Sequence, residues 1–179
     1  MAAPSDITVK NLNGKYSLNK ALSDDQEPIL VIQKVGWIQR KAIGAATLEL
    51  TIKIYEQDGV TKFDTSIKPS MGPASTEERY LDWEKVVDFK HPLFGSGKNR
   101  TKYITVSELD DEFLSKGWEE GTEELILTQN EMDTGIVTKL VHGFEVVSGE
   151  RHYVRHVLSK NKKGEEAKVR LVYNYEGAA

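Results

Sequence analysis

Leu48-Glu49-Leu50-Thr51-Ile52-Lys53-Ile54-Tyr55 places an aliphatic side chain at every second position. A period of two belongs to a strand with one buried face, and no helix sorts these residues onto one side. Downstream, the same reading predicts strands at 61–67, 78–89, 101–106, 124–129, 135–147, 150–160 and 168–175. Turn signals separate them at Asp58-Gly59, Met71-Gly72-Pro73, Gly95-Ser96-Gly97, Asp133-Thr134-Gly135, Ser148-Gly149 and Lys163-Gly164. Short strands joined by tight turns, without alternating helices, predict an antiparallel meander closed as a barrel or stacked as a sandwich. Residues 107–116 (SELDDEFLSK) interrupt it with a capping serine, an acidic first turn and a following Gly117, and are expected to form a short helix or capping loop.

Upstream of Leu48 the period is helical. Asp24 and Asp25 suit an N-cap, Pro28 the first turn, and Ile29, Ile32 and Val35 one face, before Gly36 ends the segment. A second helix is predicted from Trp37 to about Ala46, making a helical hairpin. Residues 7–18 read as a first strand broken by Asn13-Gly14, and residues 1–6 as a flexible terminus.

A strand ending in Gly14-Lys15-Tyr16-Ser17-Leu18, then a helical pair containing Val35-Gly36-Trp37-Ile38-Gln39-Arg40-Lys41-Ala42-Ile43-Gly44, then a strand meander, resembles the intracellular fatty-acid-binding and lipocalin group. These motifs cover about the first third of the chain; beyond Tyr55 the likeness is one of pattern. The resemblance implies an all-β, antiparallel up-and-down barrel with the helical hairpin at its mouth and an apolar ligand inside. The Arg, any residue, Tyr triplet with which that group commonly grips a carboxylate on its last strand is absent; Arg170-Leu171-Val172-Tyr173 has the residue types at another spacing.

With 179 residues, 39% hydrophobic and 29% charged, the chain is expected to fold as one domain spanning 1–179. A net charge of -4 supplies no basic surplus for a phosphate backbone, so nucleic acid is not an expected partner. There is no cysteine for a disulfide or thiolate site, no basic-then-apolar leader and no apolar run approaching a membrane span, which together predict a cytoplasmic protein.

A ligand-holding barrel sorts charge outward and keeps a mixed inner face. By that rule His142 and Phe144 face inward with Leu140, and His152 and His156 are inward on the next strand, opposite Arg151, Tyr153 and Arg155. Tyr173 and Tyr175 point in from the last strand, Phe63 from 61–67, and Arg79 and Trp83 from 78–89; Trp37 is added from the helical hairpin. These ten side chains are the expected ligand contacts, with His142, His156 and Tyr173 the candidates for acid–base or hydrogen-bonding chemistry. His152 and His156 lie about 13 Å apart on one strand, too far to share a metal ion. Gly95-Ser96-Gly97-Lys98 lacks the spacing of a phosphate loop, and no cofactor fingerprint is present. The sequence therefore predicts a binder of a small hydrophobic molecule. Its alternative is a cyclase or isomerase, pericyclase-type included, acting on a polyketide, terpenoid or alkaloid; neither a metal nor a cofactor is expected. A protein-interaction module ranks last.

Overall fold

The computed structural model describes residues 1–179. Ten strands form one antiparallel sheet: β1 Gly14–Leu18, β2 Leu48–Gln57, β3 Val60–Pro69, β4 Ser75–Glu77, β5 Val87–His91, β6 Gly95–Thr105, β7 Glu124–Met132, β8 Val137–Val147, β9 Glu150–Lys160 and β10 Glu166–Gly177. Their order is β4-β3-β2-β1-β10-β9-β8-β7-β6-β5, so every neighbour is consecutive in the chain except β1 against β10. The sheet curls into a nearly closed barrel. Between its edges runs the segment 78–81, where Phe63 N donates to Arg79 O (2.9 Å), Leu81 N donates to Thr61 O (2.8 Å), and Leu81 pairs with Thr101. The predicted 78–89 strand is thus this closing segment and the start of β5, separated by a turn at Asp82, whose carboxylate accepts from Glu84 N.

Two-residue turns set the registers that matter most. Asp58-Gly59 and Ser148-Gly149 both have positive φ at each position, the geometry that matches strand twist, and they fix Gln57 opposite Val60 and Val147 opposite Glu150.

The helical hairpin is α1 Glu27–Ile32 and α2 Trp37–Ala45. Ile29 of α1 packs into the barrel core, whereas α2 buries no residue and leaves Trp37 64% exposed. The opposite end is floored by the N-terminal residues. Ala3, Ile7, Val9 and Leu12 are buried beside Tyr16, Ala3 N donates to Arg151 O (2.7 Å), and Tyr175 N donates to Met1 O (2.9 Å). The start of the chain, expected to be loose, is therefore tied to the barrel. The first strand begins at Gly14 and not at Ile7, because the Asn11 side chain accepts from Thr8 N (2.6 Å) and donates to Asp6 O, turning the backbone.

The interruption at 107–116 becomes a 3-10 turn, Val106–Glu108, and a one-turn helix α3, Glu112–Ser115, capped by the Asp111 carboxylate. With Trp118 it forms a strap across the outside of the barrel. Leu109, Phe113, Leu114 and Trp118 cover Leu125, Leu127, Val141 and Leu158, an outward-facing apolar patch of β7, β8 and β9.

Candidate functional site

Paired residues of adjacent strands share a face, so the registers decide what lines the barrel. His142 pairs with Arg155, Phe144 with Tyr153, and Tyr153 with Tyr173. The interior of β9 is therefore Tyr153, Arg155, Val157 and Ser159. His152 and His156, expected inside, lie on its outer face.

The inner polar cluster is built on His142. Its Nδ1 is 2.7 Å from the Tyr153 hydroxyl, which accepts from Arg155 Nε at 2.8 Å. Because Arg155 only donates, the phenolic proton is free to go to His142 Nδ1, leaving the imidazole proton on Nε2. Burial first, then the nearby Arg155 and Arg79 cations, hold His142 well below its ordinary value of 6.5, so the ring is neutral near pH 7. The Arg155 guanidinium lies 5.2 Å from the Tyr173 ring centre, and burial pushes the Tyr173 phenol up to about 12 despite the opposing pull of Arg155. Phe63 meets His142 edge-on at 5.3 Å. Arg79 comes from the closing segment, donates to Thr65 Oγ1 (3.2 Å) and pairs with Glu77. Although its surroundings disfavour charge, Arg79 and then Arg155 hold the Glu77 carboxyl below the usual carboxylate range.

Four buried polar atoms on inward-facing residues have no hydrogen-bond partner: His142 Nε2, Arg155 Nη2, Arg79 Nε and Asn99 Oδ1. Buried polar atoms are nearly always paired in folded proteins, so these exceptions on inward-facing side chains mark a place where a ligand's polar atoms can be received. Around it, Leu50, Ile52, Ile126, Val157 and Leu171 supply an apolar wall.

Six of the ten expected contacts thus face the interior: Phe63, Arg79, His142, Phe144, Tyr173 and the half-buried Tyr175. Phe144 sits near the floor under the Arg151 guanidinium (3.7 Å), and Tyr175 packs against Tyr16 (5.5 Å) in the floor itself. Four do not. Trp37 is exposed at the start of α2, and Trp83 lies on the outer face of β6 near Arg100 (5.4 Å) and Lys102 (5.3 Å). His152 Nδ1 faces the Tyr173 carbonyl (3.2 Å), so it serves the sheet. His156 is sandwiched between Phe113 and Trp118 under the strap, with an acceptor on each nitrogen: Phe113 O at 2.7 Å and Glu145 Oε1 at 2.5 Å. Glu145 Oε2 in turn accepts from Arg170 (3.2 Å).

Tyr153 and Arg155 were assigned to the wrong side by the outward-charge rule. The signal that finds them is the two-residue turn at Ser148-Gly149: once His142 is inside, its partner across that turn, Arg155, is inside too. No group of three or more His, Asp and Glu side chains converges as for a metal ion. No helix is long and apolar enough to cross a membrane.

The architecture matches solved fatty-acid-binding structures. The apo Caenorhabditis elegans lipid binding protein 8 superposes with a TM-score of 0.63 at 13% identity, covering 96% of this chain and 100% of that one. The Schistosoma mansoni fatty acid binding protein in complex with arachidonic acid gives 0.61 at 13% identity, covering 93% and 97%. At such identities the likeness is one of fold, and it bears out the expected barrel of the fatty-acid-binding group. No protein-family model matches the sequence. Two proteins are similar along almost the full length. "Probable pericyclase scpY" of Mollisia scopiformis is 38% identical over 98% of this chain and 95% of its own, and "Pericyclase pydY" of Acremonium sp is 35% identical over 99% and 98%. At this identity and coverage the chain belongs to the family that these two proteins represent.

Proposed function

We propose that the chain is itself a pericyclase, closing a ring in a small, largely apolar, unsaturated molecule folded inside the barrel. The observation that carries this reading is the full-length kinship to two proteins named for that activity. The site's chemistry agrees with it. A pericyclic closure redistributes bonds in one cyclic transition state, with no covalent intermediate and no obligatory proton transfer. Its catalyst needs a cavity that selects the reactive conformer and donors that draw electron density from a conjugated oxygen. Phe63, Tyr173 and the aliphatic wall supply the first, and His142 Nε2–H the second. His156, walled off under the strap, has no part in it.

A passive carrier would share the cavity but not the conversion. The test uses the fact that pericyclic closure changes no atom count. Removing the gene from its source organism is expected to exchange one metabolite for an isomer of identical elemental composition, read by high-resolution mass spectrometry. Purified protein added to that extract then restores the original compound. If no isomeric pair appears, or the purified protein leaves it unchanged, the reading fails.

A further inference from the structure

The charges inside the barrel do not balance. Arg79 has Glu77 as its ion-pair partner, whereas Arg155, 6% exposed, has only the Tyr153 hydroxyl and the faces of Tyr153 and Tyr173. No carboxylate bonds to it. Two guanidiniums therefore share one carboxylate, that of the partly exposed Glu77 on the edge strand β4. His142 and His91 add no further positive charge: burial, with the neighbouring arginines, keeps the first neutral, and burial holds His91, which faces Glu77, below its ordinary value. An uncompensated cation in a dry interior is costly, and such groups persist when something of opposite charge completes them.

The unpartnered atoms give that missing charge a place and a form. Arg155 Nη2, Arg79 Nε and His142 Nε2 are all donors, and each sits on a side chain at least nine-tenths buried. These three donors ask for lone pairs, and planar guanidiniums suit a flat, delocalised pair of oxygens; the fourth unpartnered atom, Asn99 Oδ1, is an acceptor and is not part of this donor set. The arginine of β10 takes no part, because Arg170 points outward to Glu145.

We propose that the barrel interior is a receptor for a monoanionic oxygen head group, carboxylate or enolate, on an otherwise apolar molecule, seated between Arg155, Arg79 and His142. This rests on the reading that the barrel holds a small-molecule substrate, and it names that substrate's class. The head anchors one end of the molecule in mid-barrel, so the apolar remainder is folded against the aliphatic wall, and the same donors draw density from any π system conjugated to the head.

The test is isothermal titration with decanoate, with the enolate of 2-decanoylcyclohexane-1,3-dione, and with decan-1-ol as the neutral control. At least one anion is expected to bind about 10-fold or more tighter than the alcohol, and which one does so identifies the head. In Arg155→Met that preference disappears, while the unliganded variant melts a few degrees higher, on the order of 2–8 °C, because the unpaired charge is gone. Arg155→Lys keeps a measurable preference. If the alcohol binds the wild-type protein as tightly as both anions, or no anion binds, the proposal is overturned; the wild-type comparison needs no variant to fold. Ring closure is not part of this measurement. A protein that isomerises its precursor without preferring anions refutes the receptor alone, and one that prefers anions without isomerising anything refutes the pericyclase reading alone.

Discussion

Replacing Glu145 by leucine removes the buried carboxylate of β8 that holds His156 of β9 in place beneath the strap, where the other ring nitrogen meets Phe113 O. Glu145 is 3% exposed and serves two partners, His156 at 2.5 Å and Arg170 at 3.2 Å. Taking one member from a buried ionic group typically costs about 3–5 kcal/mol, because the partners stay behind without an acceptor. Arg170 retains 35% of its side-chain exposure and recovers hydration, whereas His156 retains 4% and does not. The lower end, about 3 kcal/mol, is therefore expected, and for a chain of this size that lowers the melting midpoint by about 6–12 °C. Scanning calorimetry reads the midpoint, and limited proteolysis within 106–121 reads release of the strap. The double variant Glu145→Leu/His156→Phe is expected to regain most of the loss, since an apolar pair of similar volume replaces a buried hydrogen-bonded one. A loss below about 1 kcal/mol for the single variant, or a double variant worse than both singles combined, refutes the idea that this contact holds His156 and, through it, the strap.

Three further outcomes concern His142 in the interior and Gly143 beneath the strap. Because His142 is held neutral when folded but binds a proton near 6.5 when unfolded, the unfolded state takes up more protons in acid. Stability should then fall as pH drops below about 6.5, with a slope approaching 1.4 kcal/mol per pH unit; urea titrations at several pH values check this, and His142→Phe should flatten the curve in that window. The same His142→Phe variant, in a turnover assay on the native precursor, should close the ring about 100-fold more slowly while remaining folded. Finally, a Cβ on Gly143 would lie 2.5 Å from Leu125 Cδ2 and 2.9 Å from Trp118. Gly143→Ala should cost about 1–3 kcal/mol by denaturant unfolding.

The sequence spoke most clearly where one face of a strand meets water. β2 alternates cleanly because Glu49 and Lys53 are exposed while Leu50 and Ile52 are fully buried, and its hairpin to β3 was readable from Asp58-Gly59. His142, Phe63, Arg79 and Tyr173 were placed inside correctly on the same kind of contrast. β9 has no such contrast. Its outer face carries His152, Val154, His156 and Leu158 under the strap and neighbouring loops, so both faces are buried and alternation loses its meaning. The rule that charge points outward then failed at Arg155, the residue whose burial defines the site. Trp83 was misplaced for a different reason, because its predicted strand is a turn.

Pairing β1 with β10 sets a clock on the protein's birth. Leu18 must wait for Tyr173, and Gly14 and Lys15 can stack only on β2 until the end of the chain arrives. At about 5–20 residues per second, a ribosome needs on the order of 9–36 s to make 179 residues. For most of that interval the apolar faces of β2, β3 and β6 to β8 have no completed enclosure, and the long-range pairing that supplies it comes last. Nascent chains halted before β10 should accordingly be captured by chaperones and resist no protease, while those released a few residues later snap shut.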